Sequence, residues 1–338
     1  MNTIRAAVFY GKHNIVTTEW TTTELQPDEV RIKVKGCGIC GTDQHIYHGY
    51  SGSAEVTPPV VLGHELAGEV EEIGIAVTRL KPGDRVSIDP NIYCGKCDYC
   101  RAGTPNLCNH LQAIGVTRDG GMGEYCMVPE ANCYLIPDEM SDVEAALVEP
   151  LGCVLHGFKK IDIRPNHTVL IIGGGFIGQL FLQLVRSQGA KHIIVSEPVA
   201  EKHELLKKLG ADEVIRPHAE AAPQQLAGFA DVVIECVGRK ESMEFAVSGA
   251  RKGGQILLFG VSSPETTMTI SPFEIFTKEL TIKGSFINPS THEDAIALIQ
   301  RKIVKVEESV SHRFKLDEVP QIMHDYPKMN VTKGVIQY

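Results

Sequence analysis

The sequence lacks the features that mark membrane, secreted and nucleic-acid-binding proteins. No apolar run approaches the ~18 residues that a membrane-spanning helix requires, and the first residues lack the apolar stretch of a secretory signal peptide. The net charge of −9 is spread along the chain, and no Lys/Arg cluster offers a binding surface for a phosphate backbone. We therefore expect a cytoplasmic protein that binds neither nucleic acid nor a membrane.

The ten cysteines are many for a cytoplasmic chain. In a reducing compartment, clustered cysteines serve more often as metal ligands than as disulfides. Four of them lie between positions 94 and 108, whereas the others are scattered. Most of the scattered ones are expected to be small buried side chains: Cys37, Cys126, Cys133, Cys153 and Cys236.

The length of 338 residues predicts two domains. Residues 30–35 alternate between apolar and polar types, as in a half-buried strand, and similar patterns recur between Gly- and Pro-rich turns. Residues 169–172 form a short apolar run, after which strands alternate with helical patterns, as in a parallel sheet covered on both faces. The predicted fold class is α/β. A mostly-β domain is expected at residues 1–150 and 288–338, with a doubly wound parallel-sheet domain inserted at residues 151–287.

A glycine-rich loop with the pattern G-x-G-x-x-G follows the apolar run at 169–172 and opens a helix. Gly173 permits a tight turn, Gly175 lets the backbone approach a pyrophosphate, and Gly178 allows close helix–strand packing. Glu197 stands where an acidic residue would accept hydrogen bonds from ribose hydroxyls, which favours NAD over NADP. The predicted cofactor contacts of this segment are Gly173, Gly175, Phe176, Ile177, Gly178, Glu197 and Lys202.

Further cofactor contacts are expected at the carboxyl ends of the later strands, because ligands bind there in open α/β sheets. Three strand ends fall near positions 237, 260 and 285, and the last of them should flank the nicotinamide. The residues predicted at these ends are Val237, Gly260, Val261, Ser285 and Phe286.

Four cysteines with the spacing C-x2-C-x2-C-x7-C form the clearest metal motif: Cys94, Cys97, Cys100 and Cys108. Four thiolates in so short a segment can enclose Zn²⁺ without an open position, which is typical of a structural site. An iron–sulfur cluster is the alternative, because it also uses four cysteines.

A second metal site is indicated by Cys40 and His64, which lie in separate loops. A catalytic zinc typically has three protein ligands and one open position for water or substrate. Either Glu65 or Glu149 could supply the third ligand, and the sequence leaves both open.

The segments GCGICGTD at 36–43 and GHE at 63–65, with the four-cysteine run and the glycine loop, resemble the zinc-containing medium-chain dehydrogenases over essentially the whole chain. The resemblance implies a GroES-like catalytic domain, a Rossmann domain, two zinc ions per chain, NAD, and a homodimer or homotetramer. It also implies that Cys40 and His64 bind the catalytic zinc.

The segment Glu149-Pro150-Leu151 is similar to the polyol branch of that family. There a carboxylate, at the position of Glu65 or Glu149, completes the metal site. The resemblance further implies that zinc polarises the substrate oxygen and that the alcohol proton leaves through Thr42, the nicotinamide ribose and His45. The implied reaction moves a hydride between NAD(H) and a secondary alcohol, which would be a sugar alcohol or its phosphate.

The predicted substrate pocket departs from animal sorbitol dehydrogenases. Those enzymes carry a Tyr and an Arg-Tyr pair where this chain has Ile46, Ile287 and Asn288, which argues against sorbitol itself. Asn288 could instead join a different polar pocket with Tyr47, His48 and Arg118. Threonine dehydrogenase, butanediol dehydrogenase and a non-catalytic NAD-binding relative remain alternative functions.

Overall fold

The computed structural model describes residues 3–217 and 227–338, which form two compact units. The first unit comprises Met1–Gly152 and Ile287–Tyr338, and the second comprises Cys153–Phe286. Leu151, Gly152 and Ile287 therefore belong to the first unit, whereas the sequence placed them in the second. Hydrogen bonding explains part of the difference, because the Thr291 hydroxyl donates to the Gly152 carbonyl at 2.8 Å.

The first unit is predominantly β-structure. Its strands are β1 (Thr3–Gly11), β2 (Asn14–Thr21), β3 (Glu29–Ile39), β4 (Val60–Val61), β5 (Glu65–Ile73), β6 (Arg85–Ile88), β7 (Asn91–Ile92), β8 (Gln112–Ala113), β9 (Tyr125–Pro129), β10 (Cys133–Leu135), β17 (His312–Phe314) and β18 (Gly334–Gln337). Its helices are α1 (Gly41–Tyr47), α2 (Asp98–Arg101), α3 (Asp142–Ala146), the start of α4 (Val148–Phe158), α9 (His292–Gln300) and α10 (Val319–Asp325).

The main sheet of this unit has the order β10-β6-β5-β3-β18-β17, with β9 also pairing β3. Alternate residues of β3 are buried, as its sequence pattern predicts, and Val30, Ile32 and Val34 enter one hydrophobic core. The antiparallel register pairs Gly38 with Glu65 on β5 and Ile39 with Gly334 on β18. Three distant parts of the chain therefore meet at the carboxyl end of β3.

The second unit contains a parallel sheet of six strands. They are β11 (Thr168–Ile172), β12 (His192–Ser196), β13 (Glu213–Ile215), β14 (Ala230–Glu235), β15 (Ala250–Leu258) and β16 (Thr281–Gly284), in the order β13-β12-β11-β14-β15-β16. Its helices include the remainder of α4, α5 (Phe176–Ser187), α6 (His203–Lys208), α7 (Lys240–Gly249) and α8 (Pro272–Lys278). β11 and β14 lie at the centre of this sheet, with β12 and β13 added on one side and β15 and β16 on the other. This arrangement confirms the predicted doubly wound α/β fold class.

Two helices, α6 and α10, are each preceded by a 3₁₀ turn. Residues 200–209 form the 3₁₀ turn Ala200–Lys202 followed by α6, and residues 316–325 form the 3₁₀ turn Leu316–Glu318 followed by α10. Pro320 lies in the first turn of α10, where its missing N–H needs no partner but cannot extend a preceding helix. The remaining 3₁₀ turns are Pro105–Leu107, Glu130–Asn132, Glu307–Ser309 and Tyr326–Lys328.

Across residues 3–217 and 227–338, every helix is too short or too polar to cross a lipid bilayer.

Candidate metal and dinucleotide sites

The carboxyl end of β3 and the start of β5 bring together the candidate ligands of a catalytic metal. Cys40 directly follows β3, and His64 and Glu65 stand at the start of β5. One ligand atom from each of the three residues lies within 4.8 Å of the other two. A sulfur, a nitrogen and a carboxylate oxygen this close together match the ligand types of a three-coordinate protein site for zinc.

Glu149 does not belong to this group of mutually close ligand atoms among the described residues. It lies in the first turn of α4 and is buried. Of the two carboxylates that the sequence left open, the geometry therefore brings Glu65 to Cys40 and His64.

Asp43 is a member of the site to which the sequence analysis gave no role. Its side chain is fully buried; Oδ2 accepts a hydrogen bond from the Cys40 amide at 2.8 Å, and Oδ1 lies 3.5 Å from Nδ1 of His64. Burial by itself lowers the pKa of His64, but Asp43 and Cys40 outweigh it and hold that pKa well above its ordinary value. The same negative groups favour a bound cation, and a carboxylate behind a histidine fixes the orientation of its ring. Its place inside the segment GCGICGTD was the available sequence signal.

Lys333 is a second residue that the sequence analysis missed. It is buried just before β18, forms an ion pair with Oε2 of Glu65, and donates a hydrogen bond to the Ile39 carbonyl at 3.0 Å. Burial by itself lowers the pKa of Lys333, yet Glu65 and Cys40 raise it above its ordinary value, so the side chain stays charged. No local motif surrounds Lys333, so only the pairing of β18 with β3 reveals it.

The predicted proton-relay residues Thr42 and His45 both lie on α1, whose N-cap is Cys40. They are three residues apart and therefore share one face of this short helix. Both are partly exposed, and the His45 ring lies 6.2 Å from the ring of Tyr50. The structure thus places both side chains on the element that follows the candidate metal ligand Cys40.

The four-cysteine segment brings its sulfur atoms within 4.8 Å of one another. A tetrahedron with Zn–S bonds of ~2.3 Å separates neighbouring sulfurs by ~3.8 Å, and the sulfurs of Cys97 and Cys108 are 3.9 Å apart. The Cys97 amide donates to the Cys94 sulfur at 3.4 Å. Backbone amides, chiefly that of Cys100, lower the pKa of Cys97 to about 6, which favours a metal-binding thiolate. The segment therefore fits the predicted structural zinc.

The glycine loop of the second unit has the geometry that its sequence predicted. Gly173 adopts a φ of +101°, which disfavours residues with a side chain. A Cβ at Gly178 would lie 1.8 Å from the Gly173 carbonyl oxygen, so helix α5 and the loop approach too closely for any other residue. A Cβ at Gly175, at the N-cap of α5, would meet nothing within 4 Å, so this position faces open space. Phe176 and Ile177 form the first turn of α5.

Glu197 follows β12 and supports this loop. Its Oε2 accepts from the Gly174 amide at 2.9 Å, and its Oε1 accepts from the Val199 amide at 2.8 Å. A carboxylate can accept about four hydrogen bonds, so these two leave capacity for a ribose hydroxyl. Lys202 is partly exposed at the end of the 3₁₀ turn that follows.

The predicted contacts at the later strand ends lie where β14, β15 and β16 finish. Val237 and Val261 are exposed, and the backbones at Gly238 and Gly260 approach so closely that a Cβ at Gly260 would lie 2.2 Å from the Gly238 amide. Phe286 is also exposed after β16, whereas the hydroxyl oxygen of Ser285 is buried. The parallel register therefore places these residues at one edge of the sheet, as predicted.

The structure shows the burial and the partners of residues that were predicted near the substrate. Ile46 and Asn288 are fully buried, and Oδ1 of Asn288 accepts a hydrogen bond from Asn91 at 2.5 Å. Arg118 forms an ion pair with Glu29 at 2.6 Å. Glu29 begins the eleven-residue β3, so it lies ~30 Å along the strand from the metal ligands at the other end. Arg118 therefore cannot join a pocket at the metal.

The other residues predicted near that pocket have local partners. Tyr47 is buried, and Nδ1 of His48 lies 2.8 Å from Nε2 of His13. Ile287 has a φ of +47°, which is unusual for a β-branched residue and marks a sharp turn after β16.

Two family models match the chain. One, described as "Alcohol dehydrogenase GroES-like domain", matches residues 26–138, and the other, described as "Zinc-binding dehydrogenase", matches residues 177–301. The first model covers the segment that holds the candidate metal ligands Cys40, His64 and Glu65. The second model covers most of the parallel-sheet unit.

Individual relatives match over nearly the full length. D-arabinitol dehydrogenase 1 of Uromyces fabae is 34% identical over 308 residues, which are 88% of this chain and 87% of that protein. Sorbitol dehydrogenase of Bacillus subtilis (strain 168) is 31% identical over 95% of this chain and 92% of that protein. A solved zinc-binding dehydrogenase from Sinorhizobium meliloti 1021, bound to NADP, superposes with a TM-score of 0.95 at 38% identity and full coverage of both chains.

Proposed function

This chain belongs to the zinc-dependent medium-chain dehydrogenases, in their polyol dehydrogenase-like branch, and we propose that it oxidises a secondary alcohol of a sugar alcohol, or of its phosphate, to a ketone. The observation that carries the proposal is the convergence of Cys40, His64 and Glu65 at the end of β3. Three ligands leave one position for substrate, whereas the four cysteines of the other segment leave none.

In this proposal, Glu65 is the third protein ligand of the catalytic zinc. The close approach of its carboxylate to Cys40 and His64 supports that assignment, and Glu149 lies outside that group of mutually close ligand atoms. Asp43 orients His64 from behind, as carboxylates commonly do for metal-binding histidines.

A zinc ion bound there supplies Lewis-acid polarisation of the substrate oxygen. The Thr42 hydroxyl lies on the first turn after Cys40, where it would accept the hydroxyl proton of the alcohol and at the same time pass its own proton on towards His45. His45, one turn further along α1, passes a proton to solvent. A nicotinamide cofactor held by the loop from Gly173 to Gly178 and by Glu197 would supply the acceptor for the hydride of the alcohol carbon, which would become the ketone carbon. One alcohol and one NAD⁺ thus give one ketone, one NADH and one proton.

The second unit binds the dinucleotide in this proposal. The loop from Gly173 to Gly178 offers its backbone to the pyrophosphate, and the open space beside the N-cap residue Gly175 supports a close approach. Glu197, whose carboxylate stands at the end of β12, would repel a 2′-phosphate and so favours NAD over NADP. Because the Sinorhizobium meliloti relative was solved with NADP, both cofactors belong in the test.

We also propose that the protein forms a homodimer or homotetramer and works in the cytoplasm. Phe273 and Phe276 on α8 are 73% and 78% exposed, and β16 is the last strand of the parallel sheet. Exposed aromatic side chains and an unpaired strand edge each favour contact with another protein surface. The ten free thiols are consistent with a reducing compartment. Light scattering of the wild type and of Phe276→Ser checks the assembly.

The deciding experiment records NADH and NADPH formation across polyols, polyol phosphates, threonine and diols, with zinc content measured on the same sample. We expect two zinc ions per chain and turnover with one class of polyol. Cys40→Ala should abolish turnover, whereas Cys133→Ala, which removes another buried thiol of the same unit, should keep it. Turnover confined to threonine or diols would exclude the polyol assignment, and none at all would leave a metal-containing dinucleotide-binding protein.

A further inference from the structure

Glu65 and Lys333 reach each other across the end of β3. Glu65 begins β5 on one side of that strand, and Lys333 precedes β18 on the other side. The residue between them is Gly38, which the register places opposite Glu65. A Cβ at Gly38 would lie 1.9 Å from Oε2 of Glu65, so the carboxylate occupies the space that any larger residue would fill.

Lys333 has fixed partners in this position. Its ammonium contacts Oε2 of Glu65 and donates to the Ile39 carbonyl at 3.0 Å, and its side chain is only 5% exposed. The Tyr326 ring packs beside Gly334, the residue after Lys333: a Cβ at Gly334 would lie 3.6 Å from Cε2 of Tyr326. A long flexible side chain is thereby held in one place, directly behind a candidate metal ligand.

The formal charges around the site are consistent with this arrangement. The carboxylates of Asp43 and Glu65 both lie at the ligand atoms of Cys40 and His64, and the Lys333 ammonium is the basic group paired with Glu65. Without Lys333, the buried group would keep an uncompensated negative charge and a carboxylate free to turn.

We propose that Lys333 is a positioning residue of the catalytic metal: it holds one oxygen of Glu65 so that the other oxygen is presented to the ion. The inference rests on the proposed function, because it takes Glu65 as a metal ligand. Residues that orient metal ligands typically change metal affinity by ~10–100-fold when they are replaced. Lys333→Met should therefore release the catalytic zinc to a chelator at least tenfold faster than the wild type.

A matched control is available in the same unit. Lys302 forms an ion pair with Glu144 at 2.7 Å, and neither residue belongs to a candidate metal cluster. Lys302→Met should leave zinc release within twofold of the wild type. Lys333→Arg, which keeps the charge, should restore most of the retention that Lys333→Met loses.

The test measures two properties of each full-length variant. The first is the rate at which zinc passes to a coloured chelator. The zinc held by the four cysteines should leave in a separate, slower phase. The second is the visible spectrum of Co²⁺ bound in place of the catalytic zinc, which reports the ligands directly and which a remote loss of stability would not shift. We expect Lys333→Met to shift the Co²⁺ spectrum, and Lys302→Met to leave it unchanged.

A double-mutant cycle keeps the proposal falsifiable. If Lys333 acts through Glu65, adding Lys333→Met to Glu65→Gln should change zinc release by less than about twofold, because the oriented group is already lost. Lys333→Gln replaces Lys333→Met throughout if the methionine variant does not fold. Additive effects, or an unchanged spectrum and release rate, would overturn the role of Lys333. A wild-type chain that retains only the four-cysteine zinc would instead overturn the proposed function.

Discussion

Gly178→Ala tests whether the glycine loop is shaped by contact between α5 and the loop. The new Cβ would lie 1.8 Å from the Gly173 carbonyl oxygen, so one of them must retreat by about 1.2 Å to reach even 3.0 Å. Overpacking of this kind costs ~1–3 kcal/mol, and the better helix propensity of alanine returns ~1 kcal/mol. We expect the free energy of unfolding to fall by up to ~2 kcal/mol.

The same displacement should weaken dinucleotide binding, because the loop amides would no longer be placed for the pyrophosphate. Loss of one hydrogen bond to a charged group costs ~1.5–3 kcal/mol, and 1.4 kcal/mol is a tenfold change in Kd. The dissociation constant for NADH, followed by its fluorescence, should therefore rise at least tenfold. Urea unfolding monitored by circular dichroism gives the stability of the same samples.

Gly175→Ala is the matched control. Its Cβ would meet nothing within 4 Å, and its φ of −70° suits any residue. Stability should change by less than about 0.5 kcal/mol, while NADH binding should still weaken, because a methyl group would stand where the pyrophosphate approaches. A Gly178→Ala chain with unchanged stability and NADH affinity would refute this account of the loop.

Three further outcomes follow from the first unit. Cys97→Ser should lower the zinc content from two ions per chain to one by elemental analysis, whereas a second ion retained there would argue against the four-cysteine site. Arg118→Met should cost ~1–3 kcal/mol in urea unfolding, because it leaves the Glu29 carboxylate buried without its partner, yet kcat/KM should stay within twofold. Burial lowers the pKa of His292 to about 3 from 6.5, so the unfolded chain binds one more proton between those pH values. The free energy of unfolding should therefore fall as the pH falls through that window. His292→Phe should remove up to ~1.4 kcal/mol of that loss per pH unit. Equal slopes of unfolding free energy against pH in the wild type and in His292→Phe would contradict the burial argument.

The tautomer of His292 follows from its neighbour. The Ser87 hydroxyl donates to the Ala145 carbonyl at 2.8 Å, so the contact of 2.8 Å between Ser87 and Nε2 of His292 requires Nε2 to carry the proton. Nδ1 is then a bare, buried nitrogen without a hydrogen-bond partner among the described residues. Protonation there is unfavourable because the new charge would be buried without a partner.

Features whose residues are close in sequence could be predicted from sequence alone. The four-cysteine segment and the glycine loop each lie within a single short stretch, and the structure places the sulfurs and the loop backbone as the spacing indicated. The apolar alternation of β3 and the unbroken apolar run of β11 reflect burial on one face and on both faces of a sheet. The family assignment rested on these local patterns, and the matching relatives confirm it.

The partners of Asn288 and Arg118 could not be predicted, because side-chain direction depends on tertiary packing. Asn288 and Arg118 are polar, and nothing local shows that Asn288 hydrogen-bonds Asn91 in the interior or that Arg118 pairs with the far end of β3. The predicted domain boundary was also slightly displaced, because α4 continues from one unit into the other without a break in sequence pattern.

The sequence by itself determined which residue types were available for a metal and a dinucleotide, since ligand chemistry and glycine geometry are properties of short segments. Only the tertiary structure decided that Glu65, and not Glu149, lies with Cys40 and His64, and that Lys333 stands behind it. The physical reason is the register of β5 and β18 on either side of β3, which joins residues far apart in the chain through backbone hydrogen bonds that no single segment specifies.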